Sequence, residues 1–353
     1  MIAYNEESIL NGIFRDFSMQ DYPHEKIEVI LVDGCSTDST RDIMEEFKAT
    51  EYGFRRVEIL TCEKHRQACS WNVALKEAKG DIIIRVDAHA KIPRNFISRN
   101  VLNIKSGEYV VGGGRPNITD GMTHWKLTLL AAEDSLFGSS VATYRRAPVK
   151  KEYLDSLFHA AYRREVFAEV GGFNEDLGRT EDNELHYRIR KAGYNLCSCP
   201  DIISFQHARG TMSDMIKQKY GNGYWIGLTF GVCKECLSYY HFVPALFVSA
   251  FLLCVVIACL GFSTPLLILT CLYAMFDIVN SVGCCTIKKM YPQFLLLPFI
   301  FPILHVAYGI GTLVGLVKMP FWKRSLDGSA QKKIEEVKKA VIENTDKSRE
   351  LDF

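Results

Sequence analysis

The sequence predicts an α/β domain followed by a helical membrane region, and three observations carry that reading. Short β-branched runs alternate with stretches of helical spacing through the first part of the chain. Acidic or polar clusters close several of those runs, at Tyr4 to Glu6, at Asp33 and at Asp87 to His89. After His241 the apolar residues crowd into segments long enough to cross a bilayer.

Taken in order, Met1-Ile2 leads straight into Ala3-Tyr4-Asn5-Glu6-Glu7, which reads as the turn after a first strand. The true start then lies upstream, or that strand is completed by very few residues. Ser8 to Phe17 places Ile9, Ile13 and Phe17 at helical spacing, and Ile27 to Val32 is a β-branched run closed by Asp33-Gly34. The Ser/Thr/Asp cluster from Ser36 to Thr40 caps a helix carrying Ile43, Met44 and Phe47. Val57 to Leu60 is the next strand, Ala68 to Ala78 the next helix, and Asp81 to Val86 a third buried strand. Such alternation predicts a parallel sheet with helices on both faces, with ligands bound at the carboxyl ends of the strands.

Composition excludes some partners. With 42 Lys and Arg against 41 Asp and Glu, the net charge of +1 makes no electrostatic case for nucleic acid. The 12 cysteines read as reduced thiols, because Cys254, Cys259 and Cys271 lie in apolar runs. Cys197, Cys199 and the adjacent Cys284-Cys285 have no partners at zinc-site spacing.

Two constellations carry chemistry. Asp87 and His89, two residues apart in extended chain, project to one side and offer an oxygen and an imidazole nitrogen to a divalent cation, a donor set that suits Mn²⁺ better than Mg²⁺. A strand-end Asp capping the next turn beside an exposed His is the plainer reading. Asp33 is open in the same way, between a contact to a nucleobase or ribose and an Asx-turn with Gly34. Arg66 faces phosphates or merely the surface. The second constellation is the turn-rich run Val170 to Glu175 leading to Thr180, Glu181 and Asp182 at a helix start. Leu185, Ile189 and Ala192 form the buried stripe of that helix and Gly193 ends it. First-turn carboxylates feel the positive helix end, which holds them ionised near neutral pH, and an ionised carboxylate facing a hydroxyl is a general base. Stabilising the helix alone is the competing role. Further on, His207 is a third metal ligand, a diphosphate contact or a loop residue without a role. The stretch from Gln218 through Tyr220 to Trp225 holds an acceptor, or anchors aromatic rings at a bilayer surface, or does both.

Together Ala3-Tyr4-Asn5-Glu6, Val32-Asp33-Gly34, Asp87-Ala88-His89, Gly171 to Glu175, Glu181-Asp182 and Gln218 to Trp225 resemble the family 2 glycosyltransferases. The glycine run Gly112 to Gly114 with Arg115-Pro116, Phe137-Gly138, Tyr144-Arg145 and the run Asp182 to Arg188 are similar to bacterial exopolysaccharide transferases of the succinoglycan type. The resemblance implies a GT-A, Rossmann-like nucleotide-sugar-binding domain. It implies that Ala3, Tyr4, Glu6, Asp33, Arg66 and Asp87 line the donor pocket, that Asp87, His89 and His207 form the metal site, and that Asp182 is the base of an inverting displacement with Glu181 orienting it or the acceptor. Gln218, Tyr220 and Trp225 are then acceptor contacts. Three departures stand out: the first strand is nearly absent, Ile2-Ala3 replaces the usual Pro before the aromatic-Asn-Glu run, and His89 replaces a second Asp.

Three segments have membrane character: Phe242 to Leu260, Phe262 to Val282 and Phe294 to Val317. A cytosolic catalytic domain puts Lys288-Lys289 inside after two crossings, and the basic residues Lys318, Lys323, Arg324, Lys332 and Lys333 read as cytosolic too. Pro298, Pro302, Gly309 and Gly311 would let the third segment re-enter instead of spanning. Asp277 and His305 lie near segment ends or pair with each other. Ile334, Val337, Ala340 and Val341 mark an amphipathic surface helix. The expected division is a glycosyltransferase domain over 1–240, with 206–240 as its acceptor and interfacial segment, a membrane region over 241–317 and a basic tail over 318–353. The expected activity is transfer of one sugar, from a UDP-sugar, to a saccharide on polyprenyl diphosphate at the cytosolic face of a bacterial cell membrane. Transfer directly to polyprenyl phosphate is the nearest alternative; a nucleotidyltransferase and a non-catalytic membrane scaffold are the others.

Overall fold

The computed structural model describes residues 1–119, 121, 123–138, 148–287 and 295–351, with side chains for all of these except 285–287 and 346–351. Tyr144-Arg145, Lys288-Lys289 and Phe294 fall outside the described residues. In chain order the elements begin β1 (Ile2–Ala3), α1 (Leu10–Ser18), β2 (Glu28–Asp33), α2 (Thr40–Ala49), β3 (Arg56–Thr61), α3 (Gln67–Glu77) and β4 (Ile82–Ile84). Next come β5 (Ala90–Lys91), α4 (Phe96–Lys105), β6 (Val110–Gly114), β7 (Asn117–Ile118), α5 (His124–Asp134), β8 (Glu152–Tyr153) and β9 (Ala161–Arg163). The chain continues with α6 (Arg164–Val170), α7 (Glu181–Lys191), β10 (Leu196–Ile203), β11 (Phe205–His207) and α8 (Met212–Thr229). It ends with α9 (Val243–Cys259), α10 (Thr264–Ile287), α11 (Leu297–Ser325) and α12 (Ser329–Leu351).

The chain forms two compact units. The first comprises Met1–Pro116, Arg146–Gln206 and Leu326–Phe353, the second Asn117–Arg145 and His207–Ser325. This differs from the expected boundaries at 240 and 318, because the segment after Pro116 and α8 pack with the helices that follow, while α12 packs into the first unit. In that unit β1 lies parallel to β2 and β2 parallel to β3, with Ala3 opposite Asp33 and Asp33 opposite Thr61. A parallel bridge from Ile2 to Asp87 carries the order past β1 to the residues after β4. Beyond it the sheet is mixed rather than parallel throughout. β9 runs antiparallel between β4 and β6, and β8 antiparallel to β10, while β6 and β10 are parallel. An antiparallel strand needs no crossover helix of its own, so β9 leaves no strand-helix alternation in the sequence to announce it. A cavity of about 950 Å³ is lined in part by Met1, Val29, Ile84 and Trp71.

Helical spacing on α1 and α2 buries Ile13, Phe14 and Phe17 with Met44 and Phe47, the Phe14 and Phe47 rings stacking at 4.2 Å. A second core gathers Trp71, Leu75, Tyr162, Phe167, Phe173, Leu185 and Ile189 with Val337 and Val341 of α12. That contact corrects the reading of a detached surface helix: the apolar stripe of α12 is used against protein. On α7 the stripe is Leu185 and Ile189, whereas Ala192 is exposed at the helix end, followed by Gly193 at φ 94°.

The second unit is helical, and α9, α10 and α11 are each long and apolar enough to cross a membrane. The third segment is one continuous helix with Pro302 inside it, not a broken re-entrant pair. Its glycines serve packing instead. A Cβ on Gly311 would stand 2.2 Å from the Tyr220 carbonyl oxygen, one on Gly315 2.2 Å from that of Tyr224, and one on Gly227 2.5 Å from that of Thr312. Bare backbone thus lets α8 and α11 touch along their length. Asp277 and His305 do not pair: the Ser281 hydroxyl donates to Asp277, while His305 hydrogen-bonds the Tyr273 hydroxyl and the Phe137 carbonyl.

Candidate active site

Parallel pairing sets the donor side of the site. Register places Asp33, Ala3 and Asp87 at the carboxyl ends of three neighbouring chain segments, where side chains leaving the strands converge. Asn5, at φ 55°, turns the chain so that Tyr4 is half exposed, its ring edge-on to His65 at 5.3 Å, and Glu6 comes within 3.8 Å of His89 Nδ1. Asp33 is buried and its Oδ1 accepts the Ser36 N–H at 3.0 Å, so this carboxylate closes the turn after β2. Arg66, at the start of α3, donates to the Glu175 carbonyl at 3.0 Å.

Asp87 is not in extended chain with His89, as the sequence suggested. The Ala90 N–H returns to the Asp87 carbonyl at 3.1 Å, closing a turn that carries His89, whose Nε2 meets the Gln206 amide nitrogen at 2.8 Å. Burial opposes ionisation of Asp87, but the Arg85 guanidinium, 3.5 Å away, and His159 beside it hold its carboxyl well below the usual carboxylate range. His159 is buried at φ 47°, bonds Ser204 through Nδ1, and aims Nε2 at Asp87 Oδ2 from 3.7 Å without completing a hydrogen bond. Phe158 beside it stacks under Arg115, whose guanidinium carbon is 4.2 Å from the ring.

The acidic helix start meets this group from the other side. Arg85 Nη2 lies 3.6 Å from Glu181 Oε1, so a single buried cation stands between Asp87 and the first turn of α7. Its charge is walled by Trp71 at 4.8 Å and by Phe158 and Phe173 at 5.9 Å. Contacts lower on α7 fix it to the sheet: His186 bonds the Tyr162 hydroxyl of β9 at 2.8 Å and Ser156 at 3.0 Å. Arg188 pairs with Glu184 and donates to the carbonyls of Val170 and Gly172. The positive helix end does not keep the first-turn acids in the ordinary range. Burial, followed by the charge of Asp182, pushes Glu181 up to about 7, and burial raises Asp182 as well.

Asp87 and Glu181-Asp182 therefore share one charged environment. The residues fit a divalent cation: an ionised carboxylate at a strand end, a neighbouring imidazole, and a buried imidazole nitrogen turned toward that carboxylate without a hydrogen bond. Among the described residues no three His, Cys, Asp or Glu side chains are gathered as a metal cage, so Asp87, His89 and His207 do not stand as a three-ligand set. Gln218, Tyr220 and Trp225 lie on α8, where Tyr220 and Tyr224 stack at 6.3 Å and Trp225 stands edge-on to Trp322 at 6.1 Å. Sequence reasoning missed Arg85 and His159, and picked out Arg115 only as part of the Gly112–Pro116 motif, without a role. An Arg inside the apolar run Ile82 to Val86 was the available signal for the first; nothing local marked His159.

The sheet presents acids at parallel strand ends, joined through one arginine to Glu181, in a chain of GT-A fold. Residues 1–171 match the family model Glycosyl transferase family 2. Over 323 residues the chain is 27% identical to the dolichyl N-acetyl-α-D-glucosaminyl phosphate 3-β-D-2,3-diacetamido-2,3-dideoxy-β-D-glucuronosyltransferase of Methanococcus voltae, covering 90% of this chain and 95% of that one. It is 31% identical over 202 residues to the succinoglycan biosynthesis protein ExoA of Rhizobium meliloti, covering 55% of this chain and 58% of that protein. Among solved structures, a mannosyltransferase from Pyrobaculum calidifontis in complex with GDP-Man and Mn²⁺ matches at TM-score 0.56 and 18% identity, over 88% of this chain and 85% of that one. That likeness is one of fold.

Proposed function

We propose that the chain is a membrane-anchored, inverting glycosyltransferase that moves one sugar from a nucleotide-sugar donor to a saccharide carried on a polyprenyl phosphate or diphosphate, in assembly of a surface polysaccharide or glycan. The observation that carries this reading is the Arg85 bridge, which joins the donor-side Asp87 to Glu181 in the first turn of α7, next to Asp182. The Methanococcus relative, named for a lipid-phosphate-linked sugar acceptor and similar over nearly the whole chain, supports the lipid-linked acceptor.

In this mechanism Ala3, Tyr4, Glu6, Asp33 and Arg66 surround the nucleotide. Asp87 and His89 would hold a divalent cation together with the donor's diphosphate, and Mn²⁺ suits an oxygen-nitrogen set better than Mg²⁺. When bound, that ion neutralises the charge that develops on the diphosphate as the sugar leaves. Asp182 takes the proton from the acceptor hydroxyl, which attacks the anomeric carbon from the face opposite the diphosphate and inverts it. Glu181 orients Asp182 and shares its proton. A UDP-sugar is the donor favoured. Gln218, Tyr220 and Trp225, on a helix of mixed aromatic and amide character, are offered as acceptor contacts, and His207 as a diphosphate contact.

The topology proposed has an even number of crossings between Met1–Pro116 and α12, a reading supported by the place of α12 in the core of the same unit. In it α9 and α10 cross, α11 does not, and the catalytic unit and α12 share the cytosolic face; the larger share of α11 covered by protein supports this choice of helices.

The test supplies membranes containing the protein with a panel of labelled nucleotide sugars and Mn²⁺. Label from one donor appearing in the lipid fraction, and lost on chelation, is the expected result. Diphosphate release without sugar transfer would mean a nucleotidyltransferase, and no label from any donor would leave a scaffold.

A further inference from the structure

Glu175 is a junction with no role in the chemistry above. It lies at the end of the Gly171–Glu175 turn and is buried, yet accepts three donors from different parts of the first unit. Lys333 of α12 reaches its Oε2 at 2.7 Å, Lys64 the same oxygen at 3.4 Å, and the Asn72 amide its Oε1 at 3.2 Å. Its backbone carbonyl takes Arg66. Lys64 and Arg66 sit in the loop after β3, on the donor side; the turn that ends at Glu175 leads into Glu181 and Asp182.

The rest of the turn is seated on α12 just as closely. The Gly172 N–H donates to the Ile334 carbonyl at 3.3 Å, a Cβ on Gly171 would stand 2.6 Å from that carbonyl oxygen, and one on Gly172 2.8 Å from Val337. Gly171 also sits at φ 77°, so both space and backbone conformation require glycine there. Arg188 of α7 grips the Gly172 carbonyl from the opposite side. Side-chain bonds from Asn344 to the carbonyls of Lys76 and Ala78 fasten the far end of α12 to the end of α3. Residues 326–328 link this helix to α11, so the last stretch of chain is an internal part of the transferase unit.

We propose that α12 is a strap for the active site and that Lys333 and Glu175 are positioning residues, a clasp that sets the donor loop Lys64–Arg66 and the base-bearing turn at one spacing. Neither residue touches a reacting atom. A displaced turn moves Asp182 relative to the bound donor, so loss of the clasp lowers turnover and weakens donor binding together. The inference rests on the transferase reading above.

The test uses the full chain in membranes. Lys333→Met and Glu175→Gln are each expected to reduce kcat about tenfold and to raise the donor KM, with the double variant no worse than either single one. Lys333→Arg keeps the charge and is expected to restore both parameters to within about threefold of the parent. A merely structural role predicts instead that thermal stability falls while the kinetic constants of the surviving enzyme stay at parental values. That outcome, or equal failure of the Arg variant, overturns the clasp. If the parent chain transfers no sugar from any donor, the transferase reading fails; if it does and Lys333→Met matches it, only the clasp fails.

Discussion

The two units place their buried charges differently. In the catalytic unit Arg85 is buried between Asp87 and Glu181, two acids from separate segments, and the partly exposed Lys333 pairs with the buried Glu175. In the helical unit Lys219 and Glu133 form a simple buried pair at 2.7 Å, the groups around His305 are joined by hydrogen bonds, and close approach comes from bare glycine backbone along α8 and α11. Removing one partner of a buried ion pair costs several kcal/mol, whereas apolar replacements of the whole pair are often neutral, so such charges are a poor way to gain stability. The cluster around Arg85, where strand ends meet the start of α7, makes sense as chemistry. In the helical unit Lys219 and Glu133 neutralise each other, and α8 and α11 are held together by shape.

The sharpest way to break this contrast is Asp87→Ala. It strands Arg85 beside a lost partner and removes the proposed cation ligand, and transfer is expected to fall about 10³-fold with loss of Mn²⁺ stimulation. Activity within tenfold of the parent would remove Asp87 from the site. In the helical unit, Gly227→Leu must push α8 off the backbone of α11, at a cost of about 3 kcal/mol, read as a lowered thermal midpoint of the solubilised chain. An unchanged midpoint would mean that the two helices do not need their close approach.

A subtler separation comes from pH. The Glu181-Asp182 pair is raised by burial, Glu181 to about 7, and the base acts deprotonated, so kcat/KM rises with pH through the region near neutrality and is lost below it. Glu181→Gln removes one negative charge beside Asp182, and the acidic limb moves to lower pH with a loss of about tenfold at its plateau. A limb that stays in place would show that the pair does not titrate together. The smallest effect belongs to the exposed pair Lys76–Glu336 on the outer side of α12, where Lys76→Met changes stability by ~0.5 kcal/mol or less and leaves transfer unchanged.

The same contrast explains what the sequence disclosed. Asp33, Asp87 and the Glu181-Asp182 helix start were legible because each sits where a periodic run ends, and the ends of runs are where this architecture gathers its ligands. The alternating strands and helices up to β4 were legible for the same reason. β9 was not, since Ala161-Tyr162-Arg163 is a short antiparallel insertion with no period to read, and with it went His159 and the mixed character of the sheet. The ionisation of Glu181 depends on burial and on Arg85, both properties of the assembled site. The stripe on α12 was visible, but a stripe records only that a face is covered, and here protein covers it. Similarly, Gly309 and Gly311 looked like helix breakers and turned out to be packing surfaces.

The most direct measurement of the central claim is the behaviour of Asp182→Asn, an isosteric change that removes the base and leaves the donor side intact. In membranes given the labelled donor that the parent uses, the variant is expected to bind the nucleotide sugar with parental affinity and to transfer label to lipid at least 10³-fold more slowly. Transfer at the parental rate would contradict the account.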